Sequence, residues 1–353
     1  MELTDTDTGS DTGTGTGILK VDFHAESKDP KKPELNEDRY VIVPGKAYAI
    51  IDGVSDKSGM HFDGETGGQI AGRIIEDVIR DSSLCGEDNF VDVEKLMMEF
   101  EVRFSAAART YGIDEIGGAQ LVLVLENKTH FRFCVIGDAG LRINGEEVFR
   151  ANFTIDRICA NIRAIVWYFV DGAGADAATC DKVARAYAVN GLGTILGASD
   201  RLIDENTLAD LRSAVIDAVA GVNPEISPRL LEKAVREGLR IQPIYANRIH
   251  EFGFPCINGG QIPREYVTSF DRRRSEIETI ELFSDGYFEC PKGRTIVDWE
   301  NHFQHVEAID PKKLDEFRST KGSSADQFSD DRTVVIIKNP TFPARKQALS
   351  EMN

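Results

Sequence analysis

The 353-residue chain predicts one α+β domain, and three observations predict it. Short apolar, β-branched runs lie near both ends of the chain, at residues 40–43, 47–51, 277–284 and 333–337. Between them stands an alanine-rich stretch, roughly 153–250, whose apolar residues recur at helical spacing. No internal repeat is present, so distant segments must complete shared sheets.

Each element follows from local chemistry. Residues 1–17 contain TDTDTGSDTGTGTG, which has no apolar surface to offset its ordering entropy, and are expected to be a disordered tail. A calcium loop would need fixed ligand spacing and a closing bidentate Glu, which this repeat lacks. Residues 40–43 and 47–51 flank Pro44-Gly45-Lys46 as a hairpin that runs into Asp52-Gly53. Over 66–80, Ile70, Ile74 and Val78 mark one helical face, and over 93–110 Leu96, Met97, Phe100 and Phe104 mark another. Strands are predicted at 120–125 and 131–136 about the turn 126–129, and at 141–143, with Asn144-Gly145 turning the chain back through 147–149. Those four strands read as one antiparallel meander. In the middle, Leu208, Leu211, Val215 and Val219 mark one helix, and Leu230, Leu231, Ala234, Val235 and Leu239 another. Residues 341–353 read as a peripheral tail.

Composition narrows the function. With 41% hydrophobic and 28% charged residues the chain is that of a soluble globular protein, and a formal charge of −18 repels nucleic acid and anionic lipid. The six cysteines show no CxxC spacing, so neither a disulfide framework nor a zinc site is indicated. The start of the chain has no basic segment or apolar h-region, and the longest apolar run, 164–170, is too short to span a bilayer. A cytoplasmic protein is expected.

The position of the acids is more informative than their number. Asp38 opens a strand, Asp52 follows AYAII, Asp138 follows FRFCVIG, Asp285 follows IELFS, and Asp330 and Asp331 precede TVVII. Acids at several strand ends can converge on one edge of a sheet sandwich. Carboxylates a few ångströms apart repel by about 4 kcal/mol per pair at an effective dielectric of 20. They must share protons or share a cation, and all-oxygen donors select Mg²⁺ or Mn²⁺.

In order along the chain, NEDRY, AIIDGVSDKSG, GETGGQIAGRII, GGAQLVLV, FCVIGDAGLRI, ELFSDGYFE and DDRTVVII resemble the successive motifs of the metal-dependent PP2C-type (PPM) protein phosphatases, from about residue 20 to 340. The resemblance implies a single domain over residues 18–340, built as a four-layer αββα sandwich of two antiparallel sheets flanked by helices. It also implies a two-ion Mg²⁺/Mn²⁺ centre at one end. By that resemblance Asp52 would bridge the two metals, with the Gly53 carbonyl and Glu37 on one and Asp285 and Asp330 on the other. Asp330 is preferred to Asp331 because the family's ligand stands three residues before the Thr, here Thr333. Asp138, with Asp285, matches a third, weaker site. Asp38 would orient a metal-bound water, so that Asp38, Asp52 and Asp285 serve catalysis through that water. The implied reaction is direct hydrolysis of phosphoserine or phosphothreonine in a protein partner.

Two positions depart from the family pattern. Pro33 stands where many relatives carry a phosphate-clamping arginine, leaving Lys31 or Lys32 to supply the charge, as a point charge rather than a bidentate fork. Val54 stands where some relatives have a histidine proposed as general acid, leaving water or a nearby group such as Asp56. These departures motivate a second reading, a catalytically weak regulatory or phosphoprotein-binding module, and metal ligation alone leaves open a small-molecule phosphomonoesterase. His302 and His305 read as a polar surface pair, His61 as a loop histidine, and Arg272-Arg273-Arg274 as a solvated loop. Residues 252–263, FGFPCINGGQIP, read equally as a substrate flap or a structural crossover.

Overall fold

The computed structural model describes residues 19–54, 61–81, 84, 89–113, 116–197, 202–221, 226–340 and 342. The expected tail 1–17, residues 341–353 apart from Phe342, and Asp56 and Cys85 lie outside these described residues.

The chain runs through β1 (Lys20–Glu26), β2 (Arg39–Val43), β3 (Ala47–Val54) and the short strands β4 (His61–Phe62) and β5 (Glu65–Thr66). Helices α1 (Gly67–Asp81) and α2 (Val93–Tyr111) follow. Next come β6 (Gly118–Glu126), β7 (His130–Ile136), β8 (Gly140–Ile143) and β9 (Glu147–Phe149). The middle is helical: α3 (Thr154–Gly172), α4 (Ala177–Asn190), α5 (Glu205–Ala220) and α6 (Pro228–Glu237). The last segment supplies β10 (Thr268–Arg273), β11 (Thr279–Phe283), α7 (Ile296–Ile309) and β12 (Arg332–Lys338).

Two five-stranded sheets result, ordered β1-β12-β11-β8-β9 and β10-β7-β6-β3-β2. Their pairings are antiparallel. Because successive side chains on a strand face opposite ways, each sheet builds two cores. Tyr48, Ile50, Val122, Val124 and Phe133 of one sheet meet Leu141, Ile280, Leu282, Val335 and Ile337 of the other. Their neighbours Ala49, Ile51, Leu121 and Leu123 point outward and are covered by Ile70, Ile74 and Val78 of α1 and Phe100 and Phe104 of α2. On the opposite outer face, Phe283, Val334 and Ile336 are covered by Trp299 and Phe303 of α7. Each buried aliphatic or aromatic side chain contributes about 1.5–3 kcal/mol, so strands apolar on both faces are fixed in the middle of the stack. This is the αββα sandwich with both outer faces covered.

Helices α3 to α6 form a separate apolar core, in which Ile158, Ile162, Val166, Tyr187, Leu211, Val215 and Val235 pack together. The predicted face of α5 is buried as expected, whereas α6 stops at Glu237 because Gly238 turns with φ +64°. Leu239 therefore belongs to the following 3-10 turn, Gly238–Tyr245.

Two expectations are corrected, and one open choice is narrowed. The predicted meander is two hairpins in different sheets: β6 pairs with β7, and β8 with β9. The crossing is made at Gly137, φ +101°, where a Cβ would stand 1.7 Å from Gln120 Oε1. Arg272 and Arg273 lie on edge strand β10 rather than in a loop, and Arg274 is buried against Glu126. Residues 252–263 form a crossover: Ile257 and Ala119 exchange backbone hydrogen bonds of 3.0 Å, and Cys256 and Ile257 are buried. No described helix is long and apolar enough to cross a membrane. Cys134, Cys180 and Cys290 are free thiols.

Candidate active site

Strand register brings the acids to one end of the sandwich. Asp38 immediately precedes β2, and its neighbour Arg39 pairs with Ile51, the residue before Asp52. Gly140 pairs with Phe283, so Asp138 before β8 and Asp285 after β11 share that end. Phe283 in turn pairs with Val334, which puts Asp330 and Asp331, just before β12, beside them. Five strands from the two sheets thus deliver seven acids, Glu37 and Asp331 included, to one end of the sandwich.

Each acid is held by specific contacts. Glu37 accepts a 2.6 Å hydrogen bond from the Thr66 hydroxyl, and its own amide donates to Asp331 Oδ2 at 3.0 Å. The Asp38 amide donates to Asn36 Oδ1 at 2.8 Å, an Asx turn that directs the carboxylate. The Asp285 amide donates to Asp52 Oδ2 at 3.4 Å. Asp330 and Asp331 diverge. Asp331 is buried and accepts from the Lys28 amide at 2.7 Å, whereas Asp330 receives the Lys321 ammonium at 2.6 Å. Two glycines permit the close approach: a Cβ on Gly53 would stand 2.6 Å from the Glu37 carbonyl, and one on Gly286 would stand 2.0 Å from that of Asp331.

The electrostatics record the crowding. Burial, then the charges of Asp285, Asp38, Asp138 and Asp330, push Asp52 well above the usual carboxylate range. Burial likewise raises Asp38, with the Ser284 hydroxyl opposing and Asp331 and Asp285 adding. Asp138 is pushed up to about 8 by burial and by Asp285, against Arg150. Asp285 is raised by burial and by Asp330, against Lys321 and Arg150. Asp330 differs: burial raises it, but the ammonium groups of Lys321 and Lys28 outweigh that and hold it below its ordinary value.

The donor set is all oxygen, and Asp38 Oδ2 is a buried atom with no hydrogen bond among the described residues. Hard divalent cations match that chemistry. Among the described residues, the trio with ligand atoms all within 4.8 Å of one another is His24, Glu26 and Glu300, on the outer side of β1. There the buried Arg332 guanidinium already pairs with both glutamates, so that trio is an ion-pair network.

The chain is similar in structure to bacterial serine/threonine phosphatases. Its likeness to PstP/Ppp of Mycobacterium tuberculosis has 14% identity and a TM-score of 0.43, covering 91% of this chain and 98% of that one. Stp1 of Staphylococcus aureus gives 12%, a TM-score of 0.43 and coverage of 94% and 99%. A bacterial serine phosphatase gives 11%, a TM-score of 0.46 and coverage of 91% and 98%. No family model and no curated protein matches the chain.

The cations of the site differ from those expected. Lys31 pairs with Asp326 at 2.6 Å with both side chains 72% exposed, and Lys32 stands 3.9 Å from Asp29. The ammonium groups at the acids belong instead to Lys321 and Lys28, the latter 3.6 Å from Glu37, 3.8 Å from Asp330 and 3.4 Å from Asp331. Arg150 was also not anticipated. It donates to the carbonyls of Asp138 at 2.9 Å, Tyr287 at 2.8 Å and Asp285 at 3.3 Å, locking two acid-bearing turns together. None of the three has a sequence signature, because each reaches the site through chain folding rather than spacing. Val54 ends β3 with its side chain exposed. His61 is exposed on β4, and the His302 and His305 rings are 6.2 Å apart on α7, where His302 is 3.6 Å from Glu289.

Proposed function

We propose that the chain is a metal-dependent phosphomonoester hydrolase that removes phosphate from phosphoserine and phosphothreonine in proteins. The observation that carries this reading is the convergence of Glu37, Asp38, Asp52, Asp138, Asp285 and Asp330 at one end of the sandwich, with several of them held above the usual carboxylate range. Glu37, Asp52, the Gly53 carbonyl, Asp285 and Asp330 would hold two Mg²⁺ or Mn²⁺ ions, and Asp138 with Asp285 a third. When bound, such ions supply Lewis acidity toward phosphoryl oxygens and acidify a water nucleophile.

The chain's own groups do the remaining work. Asp38 has a carboxylate oxygen with no hydrogen bond among the described residues, suited to orient a water. The Ser284 hydroxyl, just after β11, steadies Asp38, and the Asp285 amide fixes Asp52. Arg150 and Asp331 hold the turns and loops that carry these groups, so that little reorganisation is needed during reaction.

A substrate screen tests the proposal. The purified chain with Mn²⁺ is expected to release phosphate from phosphoserine and phosphothreonine peptides faster than from a panel of phosphometabolites. Turnover of the metabolites alone would replace the reading with a small-molecule phosphomonoesterase. Mn²⁺ binding without any turnover would replace it with a regulatory or phosphoprotein-binding module.

A further inference from the structure

We propose that Lys321 binds the substrate phosphate in this chain, and that helices α3 and α4 of the helical insertion hold it in place. The inference rests on the phosphatase reading above. A phosphate dianion at a carboxylate-lined site needs a fixed cation close by. Pro33 provides none, Lys31 is engaged by Asp326, and Lys32 lies toward Asp29. Arg150 spends its guanidinium on backbone carbonyls, and Lys28 is shared among three carboxylates. Lys321 differs. Its Nζ is 2.6 Å from Asp330 Oδ2 and its side chain is 51% exposed, and an ammonium carries three donors, so it has donors to spare beside the acids. Once cations satisfy Asp330, that ammonium is free to meet an arriving phosphate.

A lysine on a loose loop would be a poor clamp, and this loop is braced along its length. Asp310 accepts the amides of Leu314, Asp315 and Phe317 at 2.9, 3.1 and 3.0 Å, and Lys312 Nζ donates to the Ser323 carbonyl at 3.0 Å. The insertion then grips it from the side. Arg163 of α3, fully buried, donates to the carbonyls of Lys312 at 2.8 Å and Ser319 at 3.2 Å. Arg185 of α4 donates to the Gly322 carbonyl at 3.0 Å, next to Lys321. Gly322 itself leaves no room for a side chain, since a Cβ would stand 2.6 Å from Arg163 and 2.2 Å from the Lys312 carbonyl. On the far side, the Phe328 amide donates to the Lys28 carbonyl at 2.8 Å. The alanine-rich insertion is thereby coupled to the site through the loop that carries the cation. Lys321 is the binding residue, and Arg163 and Arg185 are positioning residues.

The test uses the full chain loaded with Mn²⁺ and measures inorganic phosphate affinity by calorimetry, Mn²⁺ affinity, and kcat and KM on a phosphothreonine peptide. Lys321→Met is expected to weaken phosphate binding and raise KM by roughly 10- to 100-fold, the size of a lost charged hydrogen bond, with Mn²⁺ affinity undiminished. Lys321→Arg should recover most of that loss. Arg185→Met, with an unchanged melting temperature, should raise KM several-fold at constant kcat. Unchanged phosphate affinity and KM in Lys321→Met, beside an active wild type, would overturn the inference and leave the phosphatase reading standing. Tighter Mn²⁺ binding and higher kcat with unaltered phosphate affinity would also overturn it, making Lys321 a competitor for Asp330. If the wild type shows no turnover, the phosphatase reading fails, and phosphate affinity alone still decides for or against Lys321.

Discussion

Glu281 sits in the middle of an apolar strand and is fully buried, yet it is not a site residue. It faces Arg142 across β8 and β11, pairs with its guanidinium, and accepts a 2.9 Å hydrogen bond from Trp299 Nε1. Removing one partner would strand the other charge, so Glu281→Ala should cost about 3–5 kcal/mol in urea unfolding, well above the double replacement by apolar residues. Glu300 gives a pH prediction. Burial raises it, but Arg332 and the Tyr287 hydroxyl more than reverse that, so its folded value lies below its unfolded one. Its contribution is therefore complete above the ordinary carboxylate range and is lost as pH falls through the depressed value. As pH falls below the ordinary carboxylate range, the wild type should therefore lose stability more steeply than Glu300→Gln in urea unfolding. At this scale the acids were legible in the sequence because each abuts an apolar run. Lys28, Lys321 and Arg150 were not, because nothing local marks a cation that meets acids hundreds of residues or one long loop away.

Elements were legible where both faces or one whole stripe is apolar. Strands β2, β3, β6, β7, β11 and β12 and helices α1 and α2 satisfy that, and their spans follow from the pattern. Strands β1 and β10 do not: KVDFHAE and TSFDRR are largely exposed at sheet edges, and their pairing is supplied by β12 and β7. Helix α7 also escaped notice, since its buried side is Trp299, Phe303 and Val306 among charged and polar residues. What starts α7 is a capping box, in which the Asp298 amide donates to the Thr295 hydroxyl oxygen and the Thr295 amide donates to Asp298. Thr295→Ala should cost about 1 kcal/mol by thermal or urea unfolding, and Thr295→Ser much less.

For the whole molecule, one end of the sandwich concentrates like charge, and folding alone does not relieve it. A cation that binds the folded sandwich and not the unfolded chain must stabilise it by mass action, about 2.7 kcal/mol at 100 times its Kd. Mn²⁺ is therefore expected to raise the melting temperature by several degrees, and Asp52→Asn to reduce that rise. The most direct measurement is phosphate release from a phosphothreonine peptide by the wild type and by Asp285→Asn, with Mn²⁺ and then with excess EDTA. Turnover in the wild type that EDTA abolishes and that Asp285→Asn lacks is the predicted result. Turnover indifferent to EDTA and to the substitution would contradict a metal site built from these strand-end acids.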